Sequence, residues 1–299
     1  MSIFRGIIPA IVTPFGSDGN FNEDAFSKLT QRLYSAGVDG LYVCGQTGEG
    51  MQQSAAQRMR IAEAAVRLSP AGKKVIVHVG ARSTRDAIEL ARHASKHSAH
   101  AVSALPPGAA YSFTEIHNYY ADLAAAAEIP LLIYYYPALA PKIESLDQFL
   151  ELCAIPNVVG LKFTHTDLFT MREIQRRGNC IMFGFDEMLV AGLLMGADGG
   201  IGSIYNLIPE EFVHLHELAR VGKWQEALVV QGRVNELIEV VLRFPLHPVV
   251  KLLLRWLDID CGTCLAPRRD LSDAEVDELR KRLDKTEIGR ERWSAAIAQ

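Results

Sequence analysis

Val158-Val159-Gly160-Leu161-Lys162-Phe163 is the stretch on which the fold of this chain turns. Its β-branched and large apolar residues describe a short strand buried on both faces, as strands of a parallel sheet are. A lysine stands inside it. Outward from this stretch, similar apolar runs occur at 7–12, 41–44, 75–79, 101–105 and Leu131–Tyr135 on one side, and at Cys180–Phe183 and 200–203 on the other. Segments of helical periodicity lie between them, with start signals in view. Ser54 with Gln57, Ser112 with Glu115 and Ser145 with Gln148 have capping-box spacing, in which a hydroxyl and a returning side chain satisfy orphan amides. Asn22 and Thr84 are simple caps, and Pro209 before Glu210 and Glu211 suits a first turn. Eight strands alternating with helices, at intervals of roughly 20–35 residues, favour a closed α/β (β/α)8 TIM barrel over an open doubly wound sheet. Past the eighth strand the pattern is helix only, at 223–242, 247–257 and 272–283, the last with a Ser272/Glu275 box. The expected organisation is a barrel over 1–220 that carries the active site. A three-helix C-terminal extension over 221–299 packs on it.

Composition narrows the function classes. The 299 residues are 49% hydrophobic and 22% charged with a formal charge of -4, and the lack of a strongly basic run argues against nucleic acid. No apolar run approaches the roughly 18–20 residues of a membrane span, and the first residues lack a secretory profile. Cys44, Cys153, Cys180, Cys261 and Cys264 are odd in number and scattered, which suits free thiols in a reducing cytoplasm. Cys261 and Cys264 make a C-x-x-C without a second ligand pair, so no zinc or redox role is assigned. His93, His97 and His100 have near-helical spacing on an outer helix and read as a solvated face; His214 and His216 do not share a face. No metal is assigned.

In such a barrel chemistry gathers where strands end and βα loops begin. Strand two runs into Gly45-Gln46-Thr47-Gly48-Glu49-Gly50, whose amides and hydroxyl suit a small anion, though a glycine-rich turn needs no ligand. Strand five ends in Tyr134-Tyr135-Tyr136-Pro137, strand six in Lys162-Phe163-Thr164-His165, and strand seven in Gly184-Phe185-Asp186-Glu187. An inward lysine is desolvated, which depresses its pKa and frees an amine to attack a carbonyl. The same lysine could instead snorkel outward or pair with an acid. Tyr134 could move a proton beside an imine, or simply pack as a strand aromatic. Asp186 and Glu187 could read hydroxyls together with Ser203, or the two acids could merely favour a helix start. The glycines at 199, 200 and 202 could alternatively cradle a sugar phosphate, a reading that leaves Lys162 and Tyr134 unexplained.

Taken together, the 45–49 loop, Tyr134, Lys162 and Gly199-Gly200-Ile201-Gly202-Ser203 resemble the N-acetylneuraminate lyase / dihydrodipicolinate synthase superfamily, over essentially the whole chain. The resemblance implies that Lys162 forms an imine with pyruvate or a 2-keto acid. It makes Tyr134 the proton shuttle, and Thr47 with the amides around Gln46 the carboxylate clamp. Thr164, His165, Gly184, Asp186, Glu187 and Ser203 then line the rest of the substrate site. Leu139, where the synthases usually carry an arginine, the 184–187 and 199–206 stretches, and Tyr42 place the chain nearer the lyase branch.

Three departures point to an altered substrate: Gln46 in place of a hydroxyl residue, His165 in place of a small one, and a 106–111 loop with Ala109 and Ala110 where paired tyrosines are found. The expected activity is reversible cleavage of a sialic-acid-like 2-keto-3-deoxy sugar acid to pyruvate and an aldehyde. Its rivals are condensation of pyruvate with aspartate semialdehyde, dehydration of a keto-deoxy acid, and a silent keto-acid-binding barrel. No cofactor is implied, because the imine is the electron sink. A cytoplasmic homo-tetramer is the expected assembly.

Overall fold

The computed structural model describes residues 3–108, 110–139 and 143–298; Ala109 and the chain's first two residues, both used above, lie outside the described residues. Eight strands lie parallel in one sheet: β1 (Gly6–Pro9), β2 (Gly40–Val43), β3 (Lys74–His78), β4 (Ala101–Ala104), β5 (Leu131–Tyr135), β6 (Val158–Phe163), β7 (Cys180–Phe183) and β8 (Gly199–Gly202). Their order is β1-β8-β7-β6-β5-β4-β3-β2, and a parallel bridge between Ala10 and Tyr42 brings β1 back to β2 and nearly closes the ring. Successive strands are followed by α1 (Glu23–Ser35), α2 (Ala55–Leu68), α3 (Thr84–Lys96), α4 (Phe113–Ala127), α5 (Leu146–Cys153), α6 (Leu168–Gln175), α7 (Leu189–Leu194) and α8 (Pro209–Arg220). This is the expected TIM barrel. Some strand limits shift: β1, for example, stops at Pro9 rather than residue 12, and β8 begins at Gly199.

Helix starts follow the sequence signals closely. Ser112/Glu115 and Ser272/Glu275 form both halves of the capping box. Ser54 and Ser145 accept from the amides of Gln57 and Gln148, but those glutamines turn to the amides of Phe21 and Glu144, so each box is half made. The cap of α3 is Ser83; Thr84 is its first helical residue.

Beyond α8 the three expected helices are present as α9 (Trp224–Val241), α10 (Leu246–Arg255) and α11 (Asp273–Leu283), and a fourth, α12 (Glu287–Ile297), follows them. Thr286 caps α12 onto the amide of Gly289. Charged residues interrupt its apolar positions, so its sequence carries a weak stripe. Helix α9 packs on α7 and α8, and α11 and α12 pack on α9.

Side chains alternate along each strand, and two layers result. Ile133, Tyr135, Leu161, Phe163, Ile181 and Phe183 face the helices. Ile8, Tyr42, Ile76, Ala101, Leu132, Met182 and Ile201 fill the barrel. Register sets Tyr134 beside Lys162 and Lys162 beside Met182. Flanked by outward Leu161 and Phe163, Lys162 therefore turns into the barrel, toward its C-terminal mouth.

Candidate active site

Lys162 is 5% exposed, and its Nζ lies over the rings of Tyr134 and Tyr42, at 4.0 and 4.4 Å from their centroids. Among the described residues it makes no ion pair. Burial lowers its pKa from the ordinary lysine value to about 7, and the field of Asp186 opposes the fall. Near neutrality a large share of this amine is therefore uncharged and nucleophilic. The phenol of Tyr134 is pushed the other way by burial, above its ordinary value, so it rests protonated. Tyr42 donates to Ser103 Oγ at 3.1 Å and stands edge-on to Tyr134.

The 45–50 loop approaches from β2. Thr47 is buried, and its hydroxyl meets that of Ser203, from the end of β8, at 2.7 Å. A hydroxyl pair spanning two loops can exchange that mutual bond for bonds to an anion. The Gln46 side chain is half-buried, while its carbonyl accepts from Nε2–H of His247 at 2.8 Å.

Thr164, just past the end of β6, lies near Tyr134. Gly184 allows this, because a Cβ there would collide with the Thr164 hydroxyl. Gly202 likewise clears room for the Asp186 carboxylate. Asp186 is buried; Oδ2 accepts from the Ile204 amide at 2.8 Å, whereas Oδ1 is buried with no donor among the described residues. Burial raises its pKa to about 7. Glu187 is half-buried beside it.

His165 departs from this grouping. One residue past Thr164 it faces outward, its ring edge-on to Tyr135 and Phe163, and its Nδ1 accepts from the Asp167 amide at 3.3 Å. It lines the cleft between α5 and α6 with Glu144 and Asp167. The structure thus does not bring His165 together with the residues around the Lys162 amine; its ring packs on the helix-facing Tyr135 and Phe163 instead.

Several residues that hold the site were not singled out in the sequence. Glu49 is fully buried, pairs with Lys251 of α10 at 2.8 Å and accepts from the Leu265 amide at 2.8 Å. Lys251 also donates to the Thr263 carbonyl at 2.9 Å. With His247, α10 and the segment after it thus grip the 45–50 loop. Helix α9 does the same for the 186–187 turn: Gln231 donates to the Asp186 carbonyl and Asn235 to that of Glu187, both at 3.0 Å. His78, buried inside β3, has its ring centroid 6.1 Å from that of Tyr134. Its Nε2 accepts from the Leu105 amide and burial keeps the ring neutral. A histidine between Val77 and Val79 was the visible signal.

The profile of the Dihydrodipicolinate synthetase family matches residues 3–286. The chain belongs to that family. It is 34% identical over 281 residues to the N-acetylneuraminate lyase of Rhizobium meliloti (strain 1021), covering 93% of each chain. Its fold matches CdNal from Clostridium difficile in complex with mannosamine, with a TM-score of 0.90 and 32% identity over 95% of this chain and 100% of that one. The N-acetylneuraminate lyase from Fusobacterium nucleatum complexed with pyruvate gives 0.88 and 31%, over 95% and 97%. These relatives bear out the expectation of an aldolase-type lyase and of its nearness to the N-acetylneuraminate lyases. Among the described residues, no helix is long and apolar enough to cross a membrane.

Proposed function

We propose that this family member cleaves a 2-keto-3-deoxy sugar acid reversibly to pyruvate and an aldehyde, through an imine on Lys162. The observation that carries the reading is a dry amine without an ion-pair partner, held over two tyrosine rings at the mouth end of the barrel. The neutral amine adds to the substrate's keto carbon. Tyr134 gives its phenolic proton to the departing hydroxyl, so water leaves and the iminium forms. The tyrosinate left behind is a strong base because burial disfavours its charge. It takes the C4 hydroxyl proton, C3–C4 breaks, and the electron pair passes into the iminium as the aldehyde is released. Tyr134 returns that proton to C3 of the enamine, and water hydrolyses the resulting iminium to pyruvate and the free amine as the released proton goes back to the tyrosinate.

Thr47 and the amides around Gln46 hold the carboxylate. Gly184, Thr164, Asp186, Glu187 and Ser203 face the distal chain, with Asp186 Oδ1 accepting from a hydroxyl. No cofactor takes part, because the protonated imine is itself the electron sink. The same reading divides the chain at 220 into barrel and helical extension, and takes the working form as a cytoplasmic homo-tetramer.

A substrate panel tests the reading, with pyruvate release followed for keto-deoxy sugar acids and pyruvate consumption for aspartate semialdehyde. Turnover of the sugar acids supports it. Turnover of the semialdehyde alone would move the chain to the synthase branch.

A further inference from the structure

Two imidazoles and a carboxylate meet on the outside of the barrel, where α2 and α3 pack together. His93 Nε2 lies 2.8 Å from Glu63 Oε1, and His97 Nε2 lies 3.8 Å from the same oxygen. The two rings, one helical turn apart, stack with centroids 4.2 Å apart and planes 22° from parallel. All three donor atoms fall within 4.8 Å of one another. A histidine–glutamate hydrogen bond needs one ring; the second has no such bond to hold it there. His100, the third histidine of the sequence pattern, is turned away, its Nδ1 accepting from the Val75 amide at 3.1 Å.

We propose that Glu63, His93 and His97 form a site for a divalent cation of the zinc class. Two imidazoles one helical turn apart on a single face, joined by one carboxylate, make a borderline-soft donor set. It suits Zn²⁺ or Co²⁺ and disfavours Mg²⁺ or Ca²⁺, which take oxygen ligands. Ligand bonds of about 2.0–2.2 Å need modest side-chain rotations that draw the donors inward, with water completing the tetrahedron. The half-exposed rim lets an ion enter. The ligands come from two helices, so the ion ties α2 to α3 in the folded chain alone and stabilises it by mass action. The site stands on the outer helices and takes no part in the imine chemistry.

The test titrates Zn²⁺ alone into the chelator-stripped full chain, by calorimetry and by thermal melting. One saturable ion per chain and a raised melting midpoint are expected. Glu63→Gln, His93→Gln and His97→Gln should each weaken binding by about tenfold or more, whereas His214→Gln, at an exposed histidine elsewhere, should not. Bound Co²⁺ should show the intense visible absorption of a four-coordinate ion, and lyase turnover should be unchanged in the three variants. No saturable uptake, or uptake equal in all three variants, would overturn the proposal.

Discussion

Lys162 and Lys251 are buried almost equally, at 5% and 2% exposure, yet their surroundings differ in one respect. Lys251 has the Glu49 carboxylate at 2.8 Å and a carbonyl at 2.9 Å; Lys162 has two aromatic faces and no ion-pair partner among the described residues. The first arrangement pairs the amine with an acid and fastens a loop. The second makes the charge costly and leaves a nucleophile. Burial alone therefore does not make a lysine reactive; burial without a counter-ion does.

The most drastic way to break the comparison is Lys162→Met, which should remove turnover to below detection. The fold should gain on the order of a few kcal/mol at pH 7, because an apolar side chain replaces a strained amine. The sign follows from the depressed pKa. Below about 7 the folded lysine is charged and the full penalty applies. The penalty fades as pH rises toward the unfolded value of about 10.4. Melting curves of both proteins between pH 6 and 10 should converge toward the alkaline end.

Next in size is Tyr134→Phe, expected to lower kcat by about 10²–10⁴-fold, the usual scale for a proton-transfer group. Mass spectrometry after reduction should still find the pyruvate adduct. Lys251→Met should leave the buried Glu49 to the more distant Arg268, at 3.8 Å, and cost up to about 3–5 kcal/mol in denaturant unfolding. Adding Glu49→Gln should recover much of that loss. Smallest is the pH effect on the wild type: the neutral share of an amine with a pKa near 7 rises about tenfold from pH 6 to pH 8, and initial rates of adduct formation should follow it.

The barrel was legible because its signals are local. Strands of four to six residues bounded by caps and glycines announce themselves, and β5, β6 and β7 match residue for residue. Lys162 was legible for the same reason, as a charge inside an apolar strand. His165 neighbours Thr164 in sequence yet packs on Tyr135 and Phe163, so nearness in sequence does not give nearness in the site. The grip of α10 on the 45–50 loop was not legible at all. Glu49 and Lys251 are some two hundred residues apart, and nothing local to either marks an ion pair. The Glu63–His93–His97 cluster was half visible, as two histidines whose carboxylate arrives from another helix.

The most direct measurement incubates the protein with pyruvate, reduces with borohydride, and maps the modified peptide by mass. A single pyruvate-derived adduct on Lys162, with Lys251 unmodified, is the expected result. An adduct on another lysine, or none, would contradict the assignment of Lys162 as the nucleophile.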